Sequence, residues 1–309
     1  MTAIPLEETT LALLKDKVVV ISGGARGIGA ATVSQLYRSG ARVVSGDWDD
    51  VGGEKVKEEL LAKAEPKDGD LEFVKTDVTD YSSVVHLFEV AFSKHGRVDM
   101  AFANAGIVET GDWFDPSLDL QTVQMKPSTR TIDVNLTGVL YFARVAAVFL
   151  REGARKEDDK SMVLVSSIAG FKESPGLPAY SAAKHGVLGL LRSLRVHFPK
   201  SHGIRVNAIC PWMTDTVMVE GIREQWIEEK LPVNQPGDVG RVMIEVGANS
   251  KWHGRAVLVE GGRGWDVDEG IDRTEGQWMG EELSRTLAKG QVVLDDGIGW
   301  AKRETKVKI

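Results

Sequence analysis

Cysteine is almost absent from this chain, since Cys210 is the single one among 309 residues. One cysteine excludes an internal disulfide and a metal cluster held by thiolates. The six histidines are scattered along the chain and lack the spacing of metal ligands. We therefore expect no metal site.

Positive charge is also in short supply. Lys and Arg number 38 against 45 Asp and Glu, which gives a net charge of −7 and argues against binding nucleic acid by neutralising phosphates. No apolar run approaches the roughly 20 residues that cross a bilayer. The N-terminal residues, MTAIPLEETTLALLKDK, carry acids and lack the basic and apolar regions of a secretory signal. These absences predict a cytoplasmic protein that binds neither nucleic acid nor membrane.

Short, nearly apolar runs alternate with helical patterns as far as Glu260. This alternation predicts an α/β fold, a doubly wound parallel sheet of the Rossmann type with helices on both faces. Ligands bind such sheets outside the carboxyl ends of the strands, where the polar clusters of this chain fall. The seven predicted strands are residues 17–21, 41–45, 71–75, 98–103, 162–165, 204–209 and 255–260.

No linker or composition break interrupts residues 1–262, so we predict one dinucleotide-binding and catalytic domain there. Residues 263–309 form a C-terminal extension, with a helix expected from Gln277 to Lys289 and a strand-like QVVL run after it. Trp265, Trp278 and Trp300 make this extension too aromatic for a disordered tail. We expect it to cover either the substrate mouth or a subunit interface.

Tyr180 and Lys184 stand four residues apart at the head of a long amphipathic pattern. On a helix this spacing places both side chains on one face. Ser166 and Ser167 follow the apolar run 162–165, so a strand end would deliver a hydroxyl nearby. A phenol, an ammonium and a hydroxyl make a plausible unit for moving a proton.

Gly23, Gly27 and Gly29 lie between the first predicted strand and a helical pattern. Glycines there let the backbone approach a pyrophosphate, and the helix N-terminus offers free N–H groups. Asp47 ends the second predicted strand, where a carboxylate accepts the ribose hydroxyls of NAD and repels the 2′-phosphate of NADP. The sequence therefore favours NAD over NADP. The alternatives are a tight turn for the glycines and a helix N-cap or turn residue for Asp47.

In this order and spacing the motifs resemble the short-chain dehydrogenase/reductase family, in its single-domain branch. The resemblance covers residues 15–262, and variants with Pro-Trp and a C-terminal extension resemble fungal dehydrogenases of secondary metabolism. The matching elements are SGGARGIG (22–29), Asp77, NAG (104–106), Asn135, Ser167, YSAAK (180–184) and the segment from Asn207 to Thr216.

The resemblance implies a role for each matching position. Tyr180 would be the acid/base, with its pKa lowered by Lys184 and the nicotinamide. Ser167, rather than Ser166, would bond the substrate oxygen. The implied catalytic set is Asn135, Ser167, Tyr180 and Lys184. The implied cofactor contacts are Ser22, Gly23, Arg26, Gly27, Ile28, Gly29, Asp47, Trp48, Asp77, Val78, Asn104, Ala105, Gly106, Tyr180, Lys184, Pro211, Thr214 and Thr216.

The function so implied is an NAD(H)-dependent oxidoreductase interconverting a secondary alcohol and a ketone on a small molecule. Trp212 stands where the family commonly has glycine. It would either form an apolar wall for a bulky aromatic or polycyclic substrate or pack under a lid. The alternative function is a non-redox descendant: a cyclase, an isomerase or a scaffold that binds a dinucleotide. Family members pair two helices into homodimers or homotetramers. Here an apolar stripe would form that interface or the core: Val187, Leu190, Leu191 and Leu194.

Overall fold

Residues 1–111 and 113–294 are described by a computed structural model of the chain. Within them, nine strands form one sheet in the order β1-β9-β8-β7-β6-β5-β2-β3-β4. The strands are β1 Thr2–Ile4, β2 Val18–Ser22, β3 Arg42–Asp47, β4 Asp70–Lys75, β5 Met100–Ala103, β6 Lys160–Val165, β7 Ile204–Pro211, β8 Ala256–Glu260 and β9 Arg263–Asp266.

The seven parallel strands, β2 to β8, confirm the predicted doubly wound sheet. Two antiparallel strands extend it beyond the prediction, because β9 pairs with β8 and β1 pairs with β9. The turn at Gly261 and Gly262, both with positive φ, reverses the chain between β8 and β9. The sheet therefore continues past Gly262, where the extension was predicted to begin.

The strand order changes direction at β2, which lies between β3 on one side and β5 on the other. Chain connections leave these neighbours in opposite directions, so a crevice opens outside the carboxyl ends of β2 and β5. Ser22 ends β2 and Ala103 ends β5, and the two residues are paired in register. This position is the topological switch point at which such sheets bind ligands.

Helices cover both faces of the sheet, as the alternation of patterns predicts. Apolar residues of α4, α6 and α7 form the core on one face, and those of α2, α3 and α9 form it on the other. The helices are α1 Glu8–Ala12, α2 Gly27–Arg38, α3 Asp50–Leu61, α4 Tyr81–His95, α5 Arg130–Ile132, α6 Gly138–Phe149, α7 Pro178–His202, α8 Glu220–Glu228, α9 Pro236–Ala248, α10 Val267–Met279 and α11 Glu281–Leu294.

A continuous helical segment, Arg130–Phe149, joins α5 to α6 and is long and apolar enough to cross a membrane by length and composition. The segment is not an uninterrupted apolar run, since it contains Arg130, Asp133 and Arg144. Half of its most apolar window is buried inside the fold. Phe142, for example, packs edge-on against Phe88 of α4, with 5.0 Å between ring centroids. A core helix meets the same criteria.

The apolar stripe of α7 lies in or against the core, which is one of its two predicted alternatives. Val187 and Leu191 are fully buried, and Leu190 and Leu194 pack partly buried against the same cluster. One prediction for the C-terminal extension needs correction. The extension forms two helices, α10 and α11, which meet at Gly280, and the QVVL run ends α11 instead of forming a strand. Trp300 lies outside the described residues.

Candidate active site

The loop after β6 and the first turn of α7 bring Ser167, Tyr180 and Lys184 together. Tyr180 is the third residue of α7, and Lys184 lies one turn further on the same face. The Lys184 ammonium stands 5.5 Å from the centre of the Tyr180 ring, and the Ser167 side chain lies beside Tyr180, close enough to oppose the rise of its pKa. The predicted phenol, ammonium and hydroxyl thus share one pocket.

Ser166 has a different position from its neighbour. Its hydroxyl donates a 2.8 Å hydrogen bond to the backbone carbonyl of Lys184, which ties the end of β6 to α7. Lys184 in turn donates from Nζ to the carbonyl of Val165 at 2.9 Å. Of the two serines, Ser167 is the one whose side chain lies beside Tyr180.

Burial controls the charges in this pocket. Burial raises the pKa of Tyr180 above its ordinary value, and the hydrogen bond from Ser167 opposes that rise only in part. Burial also lowers the pKa of Lys184 to about 8. The expectation of a lowered tyrosine pKa is therefore wrong for the chain by itself, because desolvation is the largest effect.

Asn135 lies in a π-helical turn, Asp133–Thr137, between α5 and α6. Its side-chain amide is held by one residue: Oδ1 accepts from the N–H of Ile107, and Nδ2 donates to the Ile107 carbonyl, both at 2.8 Å. Gly106 packs beside it, and a side chain there would approach Asn135 Oδ1 and Lys184 Nζ. The wider turn lets the amide face the loop after β5.

The glycine loop after β2 has the shape of a cradle. Gly23 has a φ of +74°, and a Cβ there would lie 2.7 Å from Ala105 Cα. A Cβ on Gly29 would overlap the Gly23 carbonyl oxygen. Ser22 Oγ accepts the N–H groups of Asn104 and Ala105, and Asn104 Nδ2 donates to the Gly23 carbonyl at 2.9 Å. The loop is thus fixed against the end of β5, and α2 begins at Gly27 with Ile28 in its first turn.

Asp47 ends β3 beside this loop and is nearly buried. Its carboxylate accepts the N–H groups of Ala25 and Asp49, at 2.9 Å and 3.0 Å, which leaves further lone pairs on both oxygens. Arg26 pairs with Asp49 at 3.0 Å instead of with Asp47. Arg42 lies at the opposite end of β3, so it cannot reach a group bound at Asp47.

The remaining predicted cofactor contacts line the same edge of the sheet. Trp48 is mostly exposed next to Asp47, and Asp77 and Val78 follow β4, where Val78 packs against Gly138. Pro211 ends β7, and Thr216 approaches the glycine loop, since a Cβ on Gly27 would lie 3.2 Å from its methyl group. Thr214 is buried and donates to the carbonyl of Trp212. The predicted set thus surrounds one crevice.

Trp212 follows β7 directly, at the edge of the sheet where the strands end. It is 36% exposed and meets Trp226 of α8 edge-on, with 5.1 Å between ring centroids. The two ends of the segment 215–233 are held together by buried hydrogen bonds. Asn234 Nδ2 donates to Thr214 Oγ1 and to the carbonyl of Val259. Trp212 therefore packs against α8, and its role as an apolar wall for a substrate stays a prediction.

Residues 17–226 match the sequence model of the family described as short chain dehydrogenase, which spans more than half of the chain. The chain belongs to this family. It is 36% identical over 274 residues to the short-chain dehydrogenase/reductase ascJ of Acremonium egyptiacum, covering 88% of this chain and 87% of that one. It is 31% identical over 293 residues to the 5′-hydroxyaverantin dehydrogenase of Dothistroma septosporum, covering 88% and 92%.

Solved structures of short-chain dehydrogenases agree with the fold of this one. A levodione reductase has a TM-score of 0.69 at 26% identity, over 80% of this chain and 97% of the other. A 3-ketoacyl-(acyl-carrier-protein) reductase from Brucella melitensis, solved with NADH, has a TM-score of 0.69 at 25% identity, over 81% and 98%. As a short-chain dehydrogenase, the chain is an oxidoreductase of the class that uses a nicotinamide dinucleotide.

Sequence analysis missed two side chains of this dehydrogenase site. Glu109 accepts a 2.7 Å hydrogen bond from the backbone N–H of Tyr180, and Trp226 supports Trp212. Neither carries a sequence signal, because one acid in an irregular loop and one tryptophan on an exposed helix fit many roles. Each becomes visible only when distant parts of the chain are brought together.

Proposed function

We propose that this short-chain dehydrogenase uses NAD(H) to interconvert a secondary alcohol and a ketone on a bulky, ring-containing substrate. The observation that carries the proposal is the arrangement around Tyr180, with the Ser167 side chain beside it and the Lys184 ammonium 5.5 Å from its ring. A scaffold that only binds a dinucleotide has no use for a buried phenol, hydroxyl and ammonium in contact.

In this proposal the proton moves through Tyr180. During alcohol oxidation its phenolate accepts the hydroxyl proton, and during ketone reduction its phenol returns it. Ser167 donates a hydrogen bond to the substrate oxygen, which stabilises the negative charge that develops there. The ammonium of Lys184 favours the phenolate, against the burial that raises the pKa of Tyr180.

The cofactor proposed here is NAD instead of NADP. Bound nicotinamide dinucleotide would accept or supply the hydride. The backbone of Gly23 and Gly29 and the N-terminus of α2 suit its pyrophosphate, since side chains at either glycine would fill the cradle. The Asp47 carboxylate suits ribose hydroxyls and would repel a 2′-phosphate, because the nearest arginine, Arg26, is paired with Asp49.

The proposed substrate class follows from the open side of the crevice. Trp212 is partly exposed directly after β7, and Phe114, Val217 and Ile222 of neighbouring loops and of α8 also have exposed apolar side chains. Among the relatives, a protein of Sinomonas cyclohexanicum that is 36% identical over 227 residues is named cis-4-hydroxycyclohexanecarboxylate dehydrogenase. The name of this relative and the exposed apolar side chains both support a substrate that carries its hydroxyl on a ring.

Assembly, domain limits and location remain predictions. We propose a homodimer or homotetramer, formed where α6 and α7 expose Leu140, Val148 and Val196. Sedimentation equilibrium measures it, and a monomer at micromolar concentration would contradict it. We also retain the cytoplasmic location and the extension after Gly262 as a cover for the substrate mouth or a subunit interface.

The decisive experiment is an NADH-formation assay with a panel of bulky cyclic secondary alcohols, run with NAD and with NADP. We expect turnover with NAD and at least a tenfold lower kcat/KM with NADP, an energy difference of about 1.4 kcal/mol. Tyr180→Phe should lower kcat by a factor of about 10² or more, with NADH binding retained. Full turnover in Tyr180→Phe would refute the mechanism, and binding of NADH without turnover of any alcohol or ketone would favour the non-redox alternative.

A further inference from the structure

The first turn of α7 depends on a partner from outside the helix. Pro178 occupies the first position and has no N–H, and the cap residue Leu177 has no side-chain group that could accept one. The first internal bond is donated by Ser181, to the carbonyl of Leu177. The backbone N–H of Tyr180 would therefore be an unpaired donor at the helix N-terminus.

Glu109 supplies the missing acceptor from 71 residues away. Its Oε2 accepts the Tyr180 N–H at 2.7 Å, and the bond is partly buried. A carboxylate at this position also faces the positive end of the α7 dipole. Glu109 Oε1 is buried and has no hydrogen-bond partner within residues 1–111 and 113–294, so the Tyr180 bond is the one that this carboxylate makes there.

The irregular segment that carries Glu109 is held by hydrogen bonds on both sides of that residue. Two residues before it, Ile107 is held through its N–H and its carbonyl by the side chain of Asn135. One residue after it, Thr110 donates its N–H to Thr131 Oγ1 at 3.0 Å, and the two hydroxyls lie 2.9 Å apart. Both partners belong to the helical segment Arg130–Phe149.

These contacts make one mechanical connection from the π-helical turn to the catalytic helix. Asn135 fixes Ile107, the short segment 107–110 fixes Glu109, and Glu109 fixes the backbone of Tyr180. We propose that Glu109 is a positioning residue that fixes where the Tyr180 phenol lies relative to the Ser167 side chain. The inference rests on the proposed function for its kinetic consequence, but the contact itself does not.

The kinetic test compares three variants of the full chain. Glu109→Ala removes the acceptor, and we expect kcat to fall by roughly 10- to 100-fold, because displacement of a reacting group by about 1 Å costs that much. Glu109→Gln keeps an oxygen for the N–H and should stay within about threefold of wild type. Glu173→Ala is the matched control, since that glutamate precedes α7 in the same region and its side chain is 83% exposed. NADH dissociation constants should be unchanged in all three.

A second measurement does not depend on turnover. The chain has four tyrosines, so ¹³C-labelled tyrosine gives four ring signals, and Tyr180→Phe assigns the one of interest. We expect the Tyr180 signal to shift in Glu109→Ala and to keep its wild-type position in Glu109→Gln and Glu173→Ala. If Glu109→Ala does not fold, Glu109→Asp, which withdraws the carboxylate by one methylene, replaces it.

The outcomes separate the two proposals. An unmoved Tyr180 signal together with wild-type kcat in Glu109→Ala overturns the positioning role. A change in substrate KM at constant kcat also overturns it, because that result would indicate a direct substrate contact. If the wild-type chain turns over no alcohol or ketone, the proposed function fails, and the ring signal alone decides whether Glu109 positions Tyr180.

Discussion

Asp268 joins the start of the C-terminal extension to α7 and to the sheet. Its side chain is 1% exposed, and Oδ2 accepts the N–H of Ala256 in β8 at 2.8 Å. Oδ1 lies 3.4 Å and 3.5 Å from guanidinium nitrogens of Arg192 and Arg195 on α7. We predict that Asp268→Ala lowers the free energy of unfolding by about 3 kcal/mol.

The magnitude comes from the separate contacts. Removing the carboxylate leaves the Ala256 N–H buried and unpaired, which costs about 1–3 kcal/mol. The two arginine side chains are 42% and 27% exposed, so water screens both pairs and each contributes at most about 1 kcal/mol. Asp268→Asn keeps an oxygen for Ala256 and should cost about 1 kcal/mol.

Urea unfolding followed by tryptophan fluorescence measures these differences through the midpoint at constant m-value. Asp272→Ala is the matched control, because that side chain is 55% exposed and lies 3.7 Å from Arg255, so its loss should cost less than about 0.5 kcal/mol. If Asp268→Ala were no less stable than Asp272→Ala, the anchoring of the extension by this carboxylate would be refuted.

Three further predictions concern the cofactor, the lysine and the lid. Gly29→Ala should raise the NADH dissociation constant at least about tenfold in fluorescence titrations, since its Cβ would overlap the Gly23 carbonyl, whereas Gly290→Ala, with open space around it, should not. Burial lowers the pKa of Lys184 from 10.5 to about 8, so between these pH values the unfolded protein binds the lysine proton more tightly than the folded protein does. The stability of the wild type relative to Lys184→Met should therefore rise by up to about 3 kcal/mol as the pH increases through that range. A difference in urea midpoints that stays constant with pH would contradict this prediction. Trp212→Ala should raise KM for a bulky cyclic ketone about tenfold while leaving KM for a small ketone unchanged, and an equal rise for both would argue against an indole wall.

The parts of the fold that follow local rules were predictable from the sequence. Parallel buried strands are apolar throughout, and the helices between them repeat every 3.6 residues, so the seven-stranded sheet could be read from the pattern. The three residues of β1 carry no such pattern. Their pairing with β9 joins positions more than 250 residues apart, and only the folded chain specifies it.

The candidate site divides in the same way. Gly23, Asp47, Tyr180 and Lys184 were identifiable because their spacing follows from chain geometry, a turn before a helix or one helical turn. Glu109 was not, because its role depends on an unpaired N–H in an element that the local sequence does not place beside it. Burial, which raises the pKa of Tyr180 instead of lowering it, likewise depends on the whole core.

The contrast between the two sides of the crevice bears on selectivity. Ser167 and Lys184 are buried and hydrogen-bonded, so the proposed chemistry tolerates little change in where the carbinol carbon lies. Trp212, Phe114 and Val217 have exposed apolar side chains, and where these meet the proposed substrate they would gain energy in proportion to the area that it covers. An apolar wall discriminates one methylene by only about 1–3 kcal/mol, whereas misplacing the reacting carbon by about 1 Å costs as much as 10²-fold in rate. We therefore expect this dehydrogenase to accept rings of several sizes and shapes but to oxidise the hydroxyl at one ring position. Turnover of a series of ring sizes measures the tolerance for ring size, and turnover of the positional isomers of one cyclic alcohol measures the selectivity for the hydroxyl position.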